Sequence, residues 1–282
     1  MNMQKSVARR SFLPASWPIH GCLVLGSCLF VVPFLWMILT SIKTLGESTL
    51  VPPVIFPAVP QWSNYSEVFN TLPFVTYYIN TILMTAGRTI GQLLLCSLAA
   101  YAFARIEFPG RNVLFILMLS VLMVPSYVVL LPQYIIMKDL GWINTLQALI
   151  VPGLFSAFGT FLLRQFFLTL PRELDEAAKL DGANHFQIYW SVILPLAKPA
   201  LIALAIFVCL WSWNDLLWPL VVTDSPDKMT LSVGLAMLQG EHLTDFPILM
   251  AGAVLASWPM LAMFIFWQRH FIEGIAITGT KG

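Results

Sequence analysis

Six long apolar stretches alternate along the chain with short polar or proline-rich segments: Ile19–Ile42, Ile79–Ala104, Val113–Met137, Leu146–Leu168, Ala200–Val222 and Ile248–Trp267. A helix needs about 20 apolar residues to cross the hydrocarbon core of a bilayer, and each stretch has that length. They are too long for barrel strands and lack the alternation of a barrel wall, so the pattern predicts an all-α polytopic membrane protein with six transmembrane helices. The first stretch follows Lys5, Arg9 and Arg10 as a signal peptide would, but its apolar part is longer than a signal-peptide core and is read as a retained span.

The connecting segments differ in character. Leu45–Pro60 carries Pro52, Pro53, Pro57 and Pro60, which argues against regular structure and predicts a stiff extended strap. Ser63–Phe69 is expected to form one short helix capped by Ser63. Between spans four and five, Pro171–Pro199 is polar yet patterned. Pro171 suits the first turn of a helix, Glu173, Asp175 and Glu176 suit its positive end, and Leu174, Ala177, Ala178 and Asp181 share a face by spacing. Gly182 stops this helix. Asn184 then caps a second, with Phe186, Tyr189, Trp190 and Ile193 on an apolar face, before Leu194-Pro195 turns the chain back towards the membrane.

Composition agrees with a bilayer setting. Of the 282 residues 58% are hydrophobic and 10% charged, against about 25% charged in soluble domains, and the mean hydropathy is +0.79. The net charge is +1 and the 15 Lys and Arg are scattered, so no basic face for nucleic acid is expected. Cys22, Cys28, Cys96 and Cys209 lie in apolar runs without metal-ligand spacing, and His20, His185, His242 and His270 are isolated, so no metal site is expected.

Charge also orients the chain. A cytoplasmic N-terminus gathers Lys5, Arg9, Arg10, Arg105, Arg111, Arg164, Arg172, Lys179, Lys198, Arg269 and Lys281 on one side and leaves Lys43, Lys138 and Lys228 on the other. This is the asymmetry of the positive-inside rule, and it puts both termini in the cytoplasm. Arg88 then falls inside span two, near its outer end, either as a side chain snorkelling to the headgroups or as a donor lining a cavity.

Glu176-Ala177-Ala178, three residues, Gly182, nine residues, Val192, then Leu194-Pro195 resembles the EAA loop of binding-protein-dependent ABC importer permeases, with valine where that pattern usually has isoleucine. Further segments resemble the carbohydrate-type branch that includes maltose-importer MalG-like permeases. They are Asn80-Thr81, Tyr101-Ala102-Phe103-Ala104-Arg105, Met123-Val124-Pro125, Trp213-Asn214-Asp215 and the closing Lys281-Gly282. The resemblance implies a MetI-like core over residues 79–268 with its coupling loop at 171–199. A cytoplasmic segment 1–18, span 19–42 and an extracytoplasmic loop 43–78 precede the core, and a cytoplasmic tail 269–282 follows it. It also implies a second permease subunit, two ATPase subunits, an extracytoplasmic solute-binding protein and a bacterial inner-membrane location. Glu176, Ala177, Ala178, Asp181, Gly182, Leu194 and Pro195 would then contact the ATPase.

The chain has no phosphate-binding G-x-x-x-x-G-K-[ST] loop, so ATP is expected on partner subunits and no cofactor on this one. The solute path is sought among polar groups within the membrane, where they are costly. Trp213, Asn214, Asp215 and Arg88, with Trp211 and Trp218, are the candidates: carboxylate and amide match sugar hydroxyls and an indole packs on a pyranose face. The same residues also suit an aromatic belt or a contact with the partner permease. Gln92, Asn80 and Tyr127 are weaker candidates, and Pro125, Pro132 and Pro219 are expected to kink their spans. An uncharged carbohydrate is favoured as solute, with glycerol phosphate as the alternative. An ion-coupled carrier would need mid-membrane ionisable residues beyond Arg88 and Asp215, and no motif of an intramembrane enzyme is present.

Overall fold

The computed structural model describes residues 17–239 and 244–279, with side chains for 19–239 and 244–267. Lys5, Arg9, Arg10, His242, Lys281 and Gly282, and the side chains of Arg269 and His270, lie outside the described residues. Within them every regular element is helical.

Span one is α1 (Trp17–Ser41), which packs along α15 (Phe246–Gly279), the last span. Span two is α4 (Phe74–Arg105), an unbroken helix of 32 residues, about 48 Å long at the α-helical rise. Between α1 and α4 lie α2 (Leu45–Thr49) and α3 (Ser63–Thr71). The strap is thus not wholly irregular: a capping box between Thr44 and Glu47 nucleates one helical turn ahead of the first proline. Ser63 is the first helical residue of α3, and the capping position belongs to Trp62, which makes no side-chain cap.

Three predicted spans are interrupted. In span three, α5 (Arg111–Ser120) and a 3-10 turn end at Val124, and α6 (Ser126–Asp139) departs from Pro125 at 102°. The missing amide of Pro125 therefore produces a break and not a kink. Span four consists of α7 (Leu146–Ile150), a 3-10 turn and α8 (Ala157–Thr169), the latter capped by Ser156. After the polar loop, α9 (Glu173–Leu180), α10 (His185–Ile188), a π-turn over Tyr189–Ile193 and α11 (Leu194–Leu196) lead into span five. That span begins as α12 (Lys198–Trp213), bent 78° from the loop helices, stops at Asn214, and resumes as α13 (Leu217–Val222). Pro219 lies inside α13, after the break. α14 (Leu231–Met237) precedes α15.

The core is centred on α4, which packs against both α8 and α12. Cys96, Ala100, Tyr101 and Ala104 of α4 meet Leu163 and Phe167 of α8, Ile188, Tyr189 and Ile193 of the loop, and Leu204 and Val208 of α12. A second cluster joins Phe74 and Tyr77 of α4 to Trp213, Leu231, Ala251 and Ala256. Large exposed apolar side chains cover α1, α5 and α6, the distribution expected when the solvent is lipid.

Candidate functional site

The polar loop folds as helix, glycine turn, helix. Glu173, Asp175 and Glu176 occupy the first turn of α9, where they complement the helix dipole. The helix closes at Gly182, whose φ of +83° is open to glycine at little cost. The Ala183 amide donates to Ala178 O at 2.9 Å, which is the reversal of a Schellman turn. Asn184 and Gln187 form a complete capping box at the start of α10.

The two faces expected for these helices are distributed differently in three dimensions. Ala177 and Asp181 are exposed beside Leu174, but Ala178 packs against the membrane core. Of the second apolar face, Tyr189 and Ile193 are buried while Phe186 and Trp190 project outward. Their rings stack at 6.3 Å and 17°, and Leu180 across the turn is 90% exposed. Leu194 is half-buried and Pro195 exposed at the return to the membrane. The loop thus exposes three large apolar side chains, Leu180, Phe186 and Trp190, and three acidic ones, Glu173, Glu176 and Asp181.

A second concavity lies within the spans, a cavity of about 300 Å³ lined by Arg88, Gln92, Gly153, Val208, Trp211, Ser212 and Asp215. Arg88 does not snorkel. Its Nη1 donates to Asp215 Oδ2 at 2.8 Å and its Nε to Leu149 O at 2.8 Å. Gly153 leaves the room this requires, since a Cβ there would come within 2.6 Å of the Arg88 side chain. Asp215 sits in the break between α12 and α13, and its other oxygen accepts the Trp218 amide at 3.4 Å. Gln92 donates to Gly153 O at 2.9 Å, and the Trp211 ring is largely exposed.

Trp213 and Asn214 do not line this cavity. The Trp213 indole is buried and donates to Ala256 O at 3.0 Å, tying α12 to α15. Asn214 is exposed, and its amide bonds back to Leu210 O at 2.8 Å. Trp218 donates to Ala148 O at 2.8 Å within a buried cluster. Asn80 donates to Asp227 O and Met229 O, both at 2.9 Å, holding the segment that leads to α14, and Tyr127 is exposed on α6. Asp175 was legible only as a helix-dipole acid; its side chain turns inward to Arg105 Nη1 at 3.0 Å. No cluster of metal-ligating side chains exists among the described residues.

Residues 92–276 match the family model described as "Binding-protein-dependent transport system inner membrane component". The chain is 36% identical over 255 residues to the arabinooligosaccharides transport system permease protein AraQ of Halalkalibacterium halodurans, covering 89% of this chain and 91% of that one. It is 32% identical over 265 residues to the diacetylchitobiose uptake system permease protein NgcG of Streptomyces coelicolor, covering 93% and 87%. It is 31% identical over 264 residues to the sn-glycerol-3-phosphate transport system permease protein UgpE of Yersinia enterocolitica, covering 91% and 94%. The fold superposes with a TM-score of 0.81 at 24% identity on a chain of a bacterial ABC transporter involved in the import of the acidic polysaccharide alginate, covering 93% of this chain and all of that one. With its broken spans, its helix-turn-helix loop and relatives alike over most of their length, this chain belongs to the family of binding-protein-dependent transport system inner membrane components.

Proposed function

We propose that this chain is one of two permease subunits of an importer for an uncharged carbohydrate, and that its loop 171–199 receives a separate ATPase. The observation that carries the reading is the projecting surface of Leu180, Phe186 and Trp190 on helices held by Gly182 and Asn184. Large exposed apolar groups on a short capped helix suit the groove of another protein. Glu176 and Asp181 would fix orientation, and the small exposed Ala177 would let the partner approach closely. The basic side of the chain is then cytoplasmic, with both termini there.

ATP is bound and hydrolysed by the partner subunits, and closure of their dimer moves α9 and α10. The spans thereby exchange two packings that open to opposite sides, each stabilised by different contacts. An extracytoplasmic binding protein delivers the solute. On this chain the solute meets the cavity at the break in span five: Trp211 offers an aromatic face, Gln92 and Asp215 hydrogen-bonding groups. Relatives named for arabinooligosaccharides and diacetylchitobiose support a sugar. The UgpE relatives and the guanidinium of Arg88 favour glycerol phosphate as the second reading. Against it, Arg88 is already neutralised by Asp215, whereas a phosphate is normally met by uncommitted cations.

The test is a pull-down of the tagged chain from native membranes in mild detergent. A co-purifying second permease and ATPase, lost when Phe186 and Trp190 are both replaced by Ser, is the expected result. A chain that purifies alone and inert under conditions that keep other transport complexes together would overturn the docking role.

A further inference from the structure

We infer that α4 is the element through which the coupling loop acts on the membrane cavity, and that Arg105 and Asp175 are the positioning residues of that linkage. The inference rests on the docking role proposed for the loop. By chain connectivity the loop should move α8 and α12, which flank it. Its buried polar contacts instead reach a helix remote in sequence. On the first loop helix, Asp175 is turned away from the exposed Leu180 side and pairs with Arg105 at the end of α4, 3.0 Å apart, with side chains only 12% and 4% exposed. In the π-turn that follows the second, the Tyr189 hydroxyl is 2.7 Å from Ser97 Oγ of α4, and its ring packs on Tyr101 at 5.4 Å. Arg105 also donates to Phe167 O at 2.7 Å and Leu170 O at 2.8 Å, closing the carbonyl end of α8. Arg105 therefore joins the loop, α4 and α8 at one point.

Apolar contacts let helices slide, but a buried ion pair such as Asp175–Arg105 is costly to separate where the dielectric is low, and the buried Tyr189–Ser97 hydrogen bond adds a directional contact. Displacement of α9 is accordingly handed to α4. What α4 does with it follows from its continuity. Spans three, four and five are each interrupted, whereas α4 runs unbroken from Phe74 to Arg105. Arg88, which holds Asp215 and Leu149 O at the cavity, lies on the same helix about 25 Å from Arg105. One rigid rod thus carries both ion pairs, Asp175–Arg105 at the loop and Arg88–Asp215 at the cavity. A shift of the first is delivered to the second without passing through a break.

The linkage is tested in proteoliposomes holding the complete complex, by measuring ATP hydrolysed per solute imported. Asp175→Asn removes the charge and keeps the shape. The variant complex is expected to retain its ATPase and to hydrolyse ATP, while the ratio of ATP to solute rises about tenfold. Asp175→Glu restores the pair and is expected to bring the ratio back near the parent value. Ser97→Ala removes the second contact without touching a charge and should raise the ratio about threefold, which keeps the inference testable if Asp175→Asn does not assemble. A ratio unchanged in both Asp175→Asn and Ser97→Ala overturns the linkage while leaving the docking role standing. So does an equal, proportional loss of hydrolysis and import in Asp175→Asn and Asp175→Glu. A parent complex that retains no ATPase removes the docking role, and the linkage with it.

Discussion

Arg88 and Asp215, from spans two and five, meet at 2.8 Å in the wall of the membrane cavity, and each is held by a second contact, Arg88 on Leu149 O and Asp215 on the Trp218 amide. Neither charge is tolerable there without the other. Removing one partner of a buried pair costs about 3–5 kcal/mol, mostly because the survivor is left uncompensated. Asp215 is 22% exposed, so the lower end applies. Asp215→Asn is expected to lower the thermal midpoint of the detergent-solubilised complex and to cut uptake by more than about tenfold. Arg88→Met combined with Asp215→Asn should recover part of the midpoint. A double variant no more stable than the single would show that the pair carries little coupling, and size-exclusion after a temperature ramp reads both.

Gly182 is required for its backbone and not for space, because a Cβ there would meet nothing within 4 Å. Left-handed backbone costs other residues about 1–2 kcal/mol, with Asn tolerated best. Gly182→Val is expected to abolish uptake while the chain still inserts in the membrane, and Gly182→Asn to retain most of it. Equal loss in the two variants would point to the side chain and not to the turn.

Trp211 and Trp213 are separated by one residue yet have opposite surroundings, exposed at the cavity and buried against α15. Trp211→Ala is expected to lower the uptake rate per assembled complex at saturating solute several-fold. Trp213→Phe, which deletes the bond to Ala256 O, should cost about 1 kcal/mol of stability and leave the rate per assembled complex unchanged. The two are told apart by normalising uptake to folded complex.

Lys43, almost fully buried, lies 4.2 Å over the Trp36 ring and donates to Val54 O at 2.6 Å, clasping the proline-rich strap to the end of α1. Lys43→Ala should make residues 44–60 several-fold more sensitive to protease added to the detergent-solubilised protein. Burial holds the ammonium below its ordinary value of 10.5, with Glu47 opposing in part. The unfolded chain therefore binds this proton more tightly, so stability from this group rises as pH climbs towards that value. Protease sensitivity is expected not to increase between neutral and mildly alkaline pH.

The all-helical membrane fold, the polar loop between the fourth and fifth apolar runs, its glycine turn and its Asn184 cap were all legible in the residues, while of the six expected spans four are helices long and apolar enough to cross, or up to six with each bent pair counted as one. Each follows from a local rule: apolar length against bilayer thickness, one residue with access to left-handed φ, one side chain able to cap an amide. The breaks at Pro125, at Leu154–Ser156 and at Asn214–Leu216 were not legible as breaks. Hydropathy counts apolar residues and does not see whether the backbone continues through them. Proline at 125 marked the first, but nothing local to the interruption after Trp213 showed that Asp215 within it meets Arg88, a residue of another helix.

The sequence by itself therefore determined that this chain suits a bilayer, the upper number of crossings its apolar runs allow, and where a helical polar loop emerges. Those properties are sums over neighbouring residues. Only the tertiary structure decided which polar side chains share a cavity, that Trp213 faces α15 and not that cavity, that Phe186 and Trp190 project while Tyr189 turns inward, and that Asp175 meets Arg105. Whether a charge or an indole becomes a site or a strut depends on what lies opposite it, and that partner comes from a distant part of the chain.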